Sequence, residues 1–471
     1  MKIGFYGATR QVTGSMFLLE FDNDFRLLID CGLDFDKNRD KNQNKRLFEF
    51  EASMINAVVL THAHLDHSGN LPNLLKEGFE GKVYSTHATF DLCDILLRDS
   101  ASLNKKAYDR FKKAQFKPKK KIISLDPYAL YFEKDVERTL DHFQTIDPDK
   151  KIKINDSIYL TFHTAGHLLG AAHVEVEFEE NGQKKTMGFS GDIGRKNYPL
   201  LQDPVNLPAS LDYLVCESTY GNREHSDMES PEEVLKKIIH ETCVEKSGRL
   251  VIPAFSIGRT QALLYTLHKL SERGDLPEIK VFTDSPLAMK STKIYEYYTS
   301  WLNEEARAFK KENEFLFDFD NLIYLASTEE SRALNNHTEP CIIISSSGMV
   351  DGGRVTQHVL ANITNPYCTI MIIGYCTPGT LGYDLIKGRK MVYHNGRSYP
   401  VEANIFVTDV FSGHGDLNDL KSFVQNQSKD SLKQIFLVHG EQKAMDDFKV
   451  SLEAEGYDQV VIPEKYQEFE I

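Results

Sequence analysis

The densest chemistry in the chain is T-H-A-H-L-D-H at 61–67, where His62, His64, Asp66 and His67 offer three imidazoles and a carboxylate within six residues. Side chains two apart on an extended segment point the same way, so His62 and His64 can aim at one point. Asp66 and His67 fall where the chain enters S-G-N-L-P-N-L-L and begins to turn. Imidazole and carboxylate are the ligands preferred by zinc and its neighbours. Four such groups on one loop exceed what a single tetrahedral ion can use while keeping a place for substrate, so their density points to two metals. Three other places repeat one format, an apolar strand followed by a polar ligand beside a glycine. They are His167 in T-A-G-H-L-L-G, Asp192 in F-S-G-D-I-G and His439 in F-L-V-H-G-E. Each alone would pass as an ordinary strand-end residue. Their recurrence makes them candidates for the remaining ligands.

These groups need strands to carry them. Short apolar runs occur at 2–6, 15–20, 27–30 and 57–60; the third ends on Asp30 and the fourth on the histidine loop. Fully apolar runs of this length predict strands buried on both faces, in a sheet covered by helices. Strands follow at 158–162 and 172–178, and Asn181-Gly182 predicts a hairpin to 185–190. Beyond Pro204–Pro208 the pattern changes. Strands at 211–216, 249–253, 280–284, 341–345 and 369–373 alternate with helices at 231–242, 259–270 and from Pro286 onward. Such alternation predicts a parallel sheet with helices on it, an α/β domain of its own. Short strands return after about 395, at 403–407 and 434–439. The expected division is 1–208 and 396–471 as two parts of one domain, with 209–395 inserted between them.

The chain has 471 residues, 41% of them hydrophobic, enough for a sizeable core. Its formal charge of 55 − 69 = −14 excludes a chain that is basic throughout but not a local basic groove. One segment stands out. Residues 105–121 hold nine cations (Lys105, Lys106, Arg110, Lys112, Lys113, Lys117, Lys119, Lys120 and Lys121) against Asp109, interleaved with Tyr108, Phe111 and Phe116. It reads either as a solvated helix face and tail or as a contact for a phosphate backbone. The seven cysteines are odd in number and include no C-x-x-C pair, which argues against a disulfide scaffold or a thiolate zinc site. The start, M-K-I-G-F-Y-G, has no signal-peptide stretch, and no run approaches the roughly 18–20 apolar residues that span a bilayer. A cytoplasmic protein without a membrane partner is expected.

H-x-H-x-D-H, then G-H, then S-G-D resembles the signature of the metallo-β-lactamase superfamily. The resemblance implies an α/β fold, an αββα sandwich with a two-metal site at one edge of its sheets. It implies that His62, His64 and His167 bind one ion, that Asp66, His67 and His439 bind the other, and that Asp192 bridges them. Asp30, ending L-L-I-D-C-G, matches the family's first motif and would hold the histidine loop in place. Further on come C-E-S-T-Y-G at 216–221, P-A-F-S-I-G-R-T-Q at 253–261, S-S-S-G-M-V-D-G-G-R at 345–354 and F-S-G-H-G-D at 411–416. With V-H-G-E at 438–441 this ordered set is similar to the β-CASP nucleases, whose inserted domain is a parallel sheet flanked by helices. The likeness runs from about residue 3 to 441. By resemblance Glu217 is motif A, His414 motif B and His439 motif C. A histidine at motif C favours RNA over the DNA-directed branch. G-Y-C-T-P-G-T-L-G at 374–382 departs from the family, with Cys-Thr-Pro where many relatives have polar or acidic residues.

The implied activity is a zinc-dependent ribonuclease that hydrolyses phosphodiester bonds of single-stranded RNA, with two Zn2+ (or Mn2+) and a metal-bridged hydroxide as nucleophile. A leaving oxygen needs a proton near neutral pH, and histidine is the natural donor. His414 fits, with Glu217 orienting it; Asp66 can also accept a proton from the attacking water. The glycine-rich 345–353 segment, with Ser346, Ser347 and Gly348, can cradle a backbone phosphate, and Arg259 at a helix start can fork onto another. The alternatives are a metallo-hydrolase acting on a lactone or thioester, and a DNA-directed nuclease of the same superfamily. A homodimer is left open, and endo- versus exonuclease action is not decided at this level.

Overall fold

The computed structural model describes residues 1–35, 47–115, 129–180, 182–225 and 229–471. Asn181, Phe116, Lys117 and Lys119–Lys121 of the expectations above lie outside them. The chain divides into two compact units, one of residues 1–196, 203–224 and 414–471, the other of 197–202 and 225–413. Residues 209–224 therefore lie with the first unit and 396–413 with the second.

The first unit is built on two sheets, each with seven strands among the described residues. One runs in the order Glu468–Glu470, Lys2–Phe5, Phe17–Glu20, Arg26–Ile29, Ala57–Val59, Lys82–Thr86, Phe143–Ile146. Its pairings are antiparallel up to Arg26–Ile29 and parallel beyond. The other runs Val460–Val461, Gln434–Val438, Tyr213–Glu217, Gln183–Phe189, Ala172–Glu180, Ile158–Thr164, Ile152–Lys153. Alternate residues of both sheets meet in one core: Ile3, Phe5, Phe17, Leu27 and Val59 from the first, Phe162, Val174, Met187, Phe189, Val215 and Phe436 from the second. Phe5 and Phe436 stand 5.0 Å apart, centroid to centroid, across it. Helix His87–Gln115 packs on the outer face of the first sheet. Helices Leu417–Gln425 and Gln442–Ala454 cover the second, with Leu420, Phe423, Phe448 and Leu452 set on Leu214, Cys216 and Leu437. This is the αββα sandwich. It explains the apolar runs, because each inner strand is buried on both faces.

The second unit carries a sheet with six strands among the described residues, parallel throughout, in the order Leu322–Tyr324, Lys280–Asp284, Cys341–Ser345, Arg249–Pro253, Thr369–Ile372, Asn404–Val407. Helices alternate with these strands. Pro231–Ile239 starts on a capping box, in which Ser230 Oγ accepts the Glu233 N–H and the Glu233 carboxylate accepts the Ser230 N–H. Among the described residues no helix is long and apolar enough to cross a membrane, and all seven cysteines are buried and free.

Candidate metal centre

Asp30 shapes the histidine loop. It steps off the strand Arg26–Ile29 at φ 58° and is buried. Its Oδ1 accepts the Thr61 N–H (2.8 Å), and its Oδ2 accepts the Thr61 hydroxyl (2.8 Å) and the His67 Nδ1–H (2.7 Å). A carboxylate only accepts, so this bond places a proton on His67 Nδ1 and turns Nε2, which lies 3.3 Å from Ser15 Oγ, toward the site. His67 Nε2 also lies 3.3 Å from Asp192 Oδ1. His64 precedes the short helix Leu65–Ser68, which Ser68 closes by donating to the Ala63 carbonyl at 2.8 Å. Asp192 is delivered by the turn after Gln183–Phe189. Gly191 makes that turn at φ 54°, and a Cβ on it would lie 2.7 Å from Thr61 Cβ, so only glycine fits. His439 follows Gln434–Val438 at φ 51°, its N–H bonded to the Ala8 carbonyl at 2.7 Å.

Two cages result. His62 Nε2, His64 Nδ1 and His167 Nε2 converge with Asp192 Oδ2. The distances are 3.1 Å for His62–His64, 3.3 Å for His64–His167, 3.5 Å for His62–Asp192 and 3.4 Å for His167–Asp192. Tetrahedral ligands about 2.0–2.1 Å from an ion stand about 3.3–3.4 Å from one another, which is the spacing seen. Asp66, His67 and His439 form the second cage, with His439 Nε2 3.6 Å from Asp66 Oδ2. Asp192 faces both: its Oδ2 belongs to the first cage, while its Oδ1 lies 3.3 Å from His67 Nε2 and 3.4 Å from His439 Nδ1. Among the described residues the buried atoms Asp192 Oδ1 and His439 Nε2 have no hydrogen-bond partner. Buried polar atoms left so are rare, and a cation among them satisfies both. The residues present fit a pair of divalent ions.

Electrostatics point the same way. Burial, helped by the neighbouring His67, holds His62 well below its ordinary range. Burial brings His64 down to about 4, against the pull of Asp66 and Asp192. Burial alone would raise the carboxyls, but the surrounding imidazoles outweigh it: His439 and His67 bring Asp66 to about 2, and with His62 and His167 they hold Asp192 well below the carboxylate range. Ionised carboxylates and neutral imidazoles are the forms that ligate metal. For His67 burial is outweighed by Asp192 and Asp30, which raise it well above the usual value; for His439 it is outweighed by Asp192 and Asp66, which raise it.

His414 and Glu217 stand beside the first cage. Glu217 is buried at the end of Tyr213–Glu217; its Oε1 accepts the Ile193 N–H and its Oε2 the Thr219 N–H at 3.2 Å. Glu217 Oε1 lies 3.3 Å from His414 Nδ1, and the other end of that ring, Nε2, lies 3.9 Å from Asp192 Oδ2. The ring is 4.4 Å from that of His167. Thus every ligand, acid and orienting residue expected from the sequence in this unit is brought to one place. Sequence reasoning missed Thr61, which links Asp30 to the loop, Ser190, whose Oγ accepts the Glu217 N–H at 2.9 Å, and Thr219, whose hydroxyl lies 3.1 Å from His439 Nδ1. The only signal was that each stands beside a ligand or acid in its motif.

Comparison with known proteins supplies the context. Models of three families match in series: the metallo-β-lactamase superfamily over residues 9–210, the β-CASP domain over 260–385, and the Zn-dependent metallo-hydrolase RNA specificity domain over 398–463. Ribonuclease TTHA0252 of Thermus thermophilus is 31% identical over 445 residues, covering 94% of either chain. The chain belongs to the β-CASP family of the metallo-β-lactamase superfamily. Transcription termination factor FttA of Methanosarcina mazei is 31% identical over 96% of this chain and 69% of its own. An RNase J-like protein of Methanocaldococcus jannaschii is 28% identical over 93% and 92%.

The β-CASP unit holds the four residues expected to meet phosphate, at the C-terminal ends of its adjacent strands Arg249–Pro253 and Cys341–Ser345. Arg259 opens the helix Arg259–Glu272. Ser346 Oγ donates to Ser285 Oγ at 3.1 Å, and Ser347 Oγ accepts the Asp351 N–H at 3.2 Å. Gly348 lies against Phe255. Asp284, fully buried at the end of Lys280–Asp284, takes Arg354 Nη1 at 2.6 Å and His358 Nε2 at 2.6 Å, so His358 ties the helix Gly353–Asn362 to this strand end.

Proposed function

We propose that this chain is a zinc-dependent ribonuclease that hydrolyses single-stranded RNA, with Asp66, Glu217 and His414 as its acid–base residues. One observation carries the reading: the two oxygens of Asp192 face two separate cages while the His414 ring approaches the same carboxylate. The RNA specificity match and the ribonuclease relative support RNA over a lactone, a thioester or DNA.

His62, His64 and His167 would hold one ion and Asp66, His67 and His439 the other, with Asp192 facing both sites and Asp30 fixing the orientation of His67. Bound zinc, or manganese in its place, supplies an activated water and neutralises charge on the phosphoryl group. His414 delivers a proton from Nε2 to the leaving oxygen, and Glu217 at Nδ1 aligns the ring and stabilises its protonated form. Asp66 takes a proton from the attacking water. Arg259, Ser346, Ser347 and Gly348 bind backbone phosphates. Seven free thiols and this chemistry suit a cytoplasmic site of action.

The test is incubation of the purified, metal-loaded chain with one RNA labelled at either end, beside the matching single-stranded DNA. RNA cleavage abolished by His64→Ala and Asp192→Ala is expected. Equal cleavage by those variants, or cleavage of the DNA alone, overturns the proposal. The same digest, run with a 5′ phosphate or a 5′ hydroxyl, separates endonuclease from exonuclease action.

A further inference from the structure

Arg259 has no ion pair among the described residues, although it is half-buried. Two neighbours hold it instead. Its Cζ lies 4.8 Å from the centroid of the Phe255 ring, and its guanidinium occupies the space in front of Gly374. A Cβ on Gly374 would fall on Arg259 Nη1 and lie 2.5 Å from Cζ and 2.8 Å from Nη2. Gly374 is not among the glycines with positive φ, so what glycine supplies here is room rather than an unusual backbone. The same Phe255 ring also meets the serine loop: a Cβ on Gly348 would lie 2.9 Å from its Cδ2 and 3.0 Å from its Cε2.

The sheet explains why these residues meet. Strand Arg249–Pro253 pairs with Cys341–Ser345 on one side and Thr369–Ile372 on the other, all parallel. Their C-terminal ends deliver Phe255 with Arg259, Gly348 and Gly374 to one edge, the edge at which open parallel sheets bind ligands. A guanidinium laid on an aromatic face and against backbone, without a carboxylate, keeps its charge and its fork of donors available to an anion.

We propose that Gly374 and Phe255 are positioning residues that hold the Arg259 guanidinium ready for a backbone phosphate of the RNA. This rests on the ribonuclease reading above. It also gives the first glycine of G-Y-C-T-P-G-T-L-G, the segment that departs from the family, a part in substrate recognition.

The test uses the metal-loaded full chain and a labelled single-stranded RNA. Binding is measured across a salt series, and kcat at saturating RNA, for Gly374→Ala, Phe255→Leu, Arg259→Ala and the two doubles with Arg259→Ala. Gly374→Ala and Arg259→Ala are each expected to weaken binding about ten-fold or more, as loss of a charged hydrogen bond does. Each should flatten the slope of log Kd against log salt by about 0.7, the share of one phosphate on a single strand. Saturated kcat should hold, and each double should bind no worse than Arg259→Ala alone. Phe255→Leu carries the same cycle if Gly374→Ala does not fold. The inference is overturned if Gly374→Ala (or Phe255→Leu in its stead) leaves Kd unchanged or adds its full loss on top of Arg259→Ala. It is equally overturned, with the ribonuclease reading intact, if Arg259→Ala is silent while the wild type cuts RNA. A wild type that neither binds nor cuts RNA removes both.

Discussion

A phosphodiester cut near neutral pH needs a proton on the leaving oxygen, and His414 can hold one in place. Its Nδ1 is set against Glu217, a buried carboxylate already fixed by two backbone N–H groups, so the ring cannot turn without breaking that contact. His414→Ala should lower kcat about 10²- to 10⁴-fold, the usual worth of general acid catalysis, while both ions stay bound. Kinetics beside elemental analysis of the same sample checks this, and loss of metal in step with loss of rate would move His414 among the ligands. A second histidine sets a pH limit. Burial holds His173 at about 4 although its Nδ1–H is bonded to the Ser190 carbonyl. Its ordinary value is about 6.5. Between about 6.5 and 4 the unfolded chain binds this proton and the folded chain does not, so the group's contribution is intact above about 6.5 and drains away as pH falls toward 4. The loss from pH 7 to pH 5 should be about 2 kcal/mol of unfolding free energy. Denaturant titrations at both pH values should show it, and His173→Gln should show a shallower dependence.

At the scale of elements, the centre depends on how one strand end grips the next. Asp30 makes three bonds to the loop that follows Ala57–Val59, through Thr61 and His67. Asp30→Ala should weaken metal binding about 10- to 100-fold, the cost typical of losing a residue that orients a ligand, measured by competition with a chelator. Unchanged affinity would mean that Leu65–Ser68 holds His67 unaided. Much of this was legible in the sequence. Apolar runs at 27–30 and 57–60 mark the strands to within a residue, because strands buried on both faces must be apolar throughout. The ligands were legible because imidazole is scarce and clustered. Helix His87–Gln115 is legible only in its lysine-rich second half, as one of two readings of 105–121; its first half, 87–104, carries no expectation. Strand Asn404–Val407 looked like a return to the sandwich yet pairs with Thr369–Ile372, because a short strand carries no record of its partner. The hairpin Met391–His394 with Arg397–Pro400 turns on Asn395 at φ 49° and Gly396 at φ 78°, the same Asn-Gly turn signal as at 181–182. Thr61, Ser190 and Thr219 stayed hidden because a hydroxyl beside a ligand looks like any other until the fold shows what it touches.

At the scale of the whole molecule, a chain of net charge −14 has to hold a polyanion, so binding must run through local cations against a repulsive background. Helix His87–Gln115 offers such a place. Lys105 is paired with Asp109 and Lys112 lies over the Tyr108 ring, but Lys106, Arg110 and Lys113 form an exposed stripe four and three residues apart on one face. That stripe lies in the described part of the basic 105–121 segment. If it meets RNA, each neutralised phosphate releases counterions, and affinity for a single strand falls with salt by about 0.7 in log–log slope per contact. Lys106→Glu, Arg110→Glu and Lys113→Glu together should therefore weaken binding and cut the slope by about two. The same triple should leave kcat on saturating RNA in place, because none of the three belongs to the metal centre. Fluorescence anisotropy over a salt series measures the slope. An unchanged slope with unchanged affinity would assign the stripe to solvation and to the favourable placing of cations near a helix C-terminus, and would leave the counterion release to Arg259 and other cations.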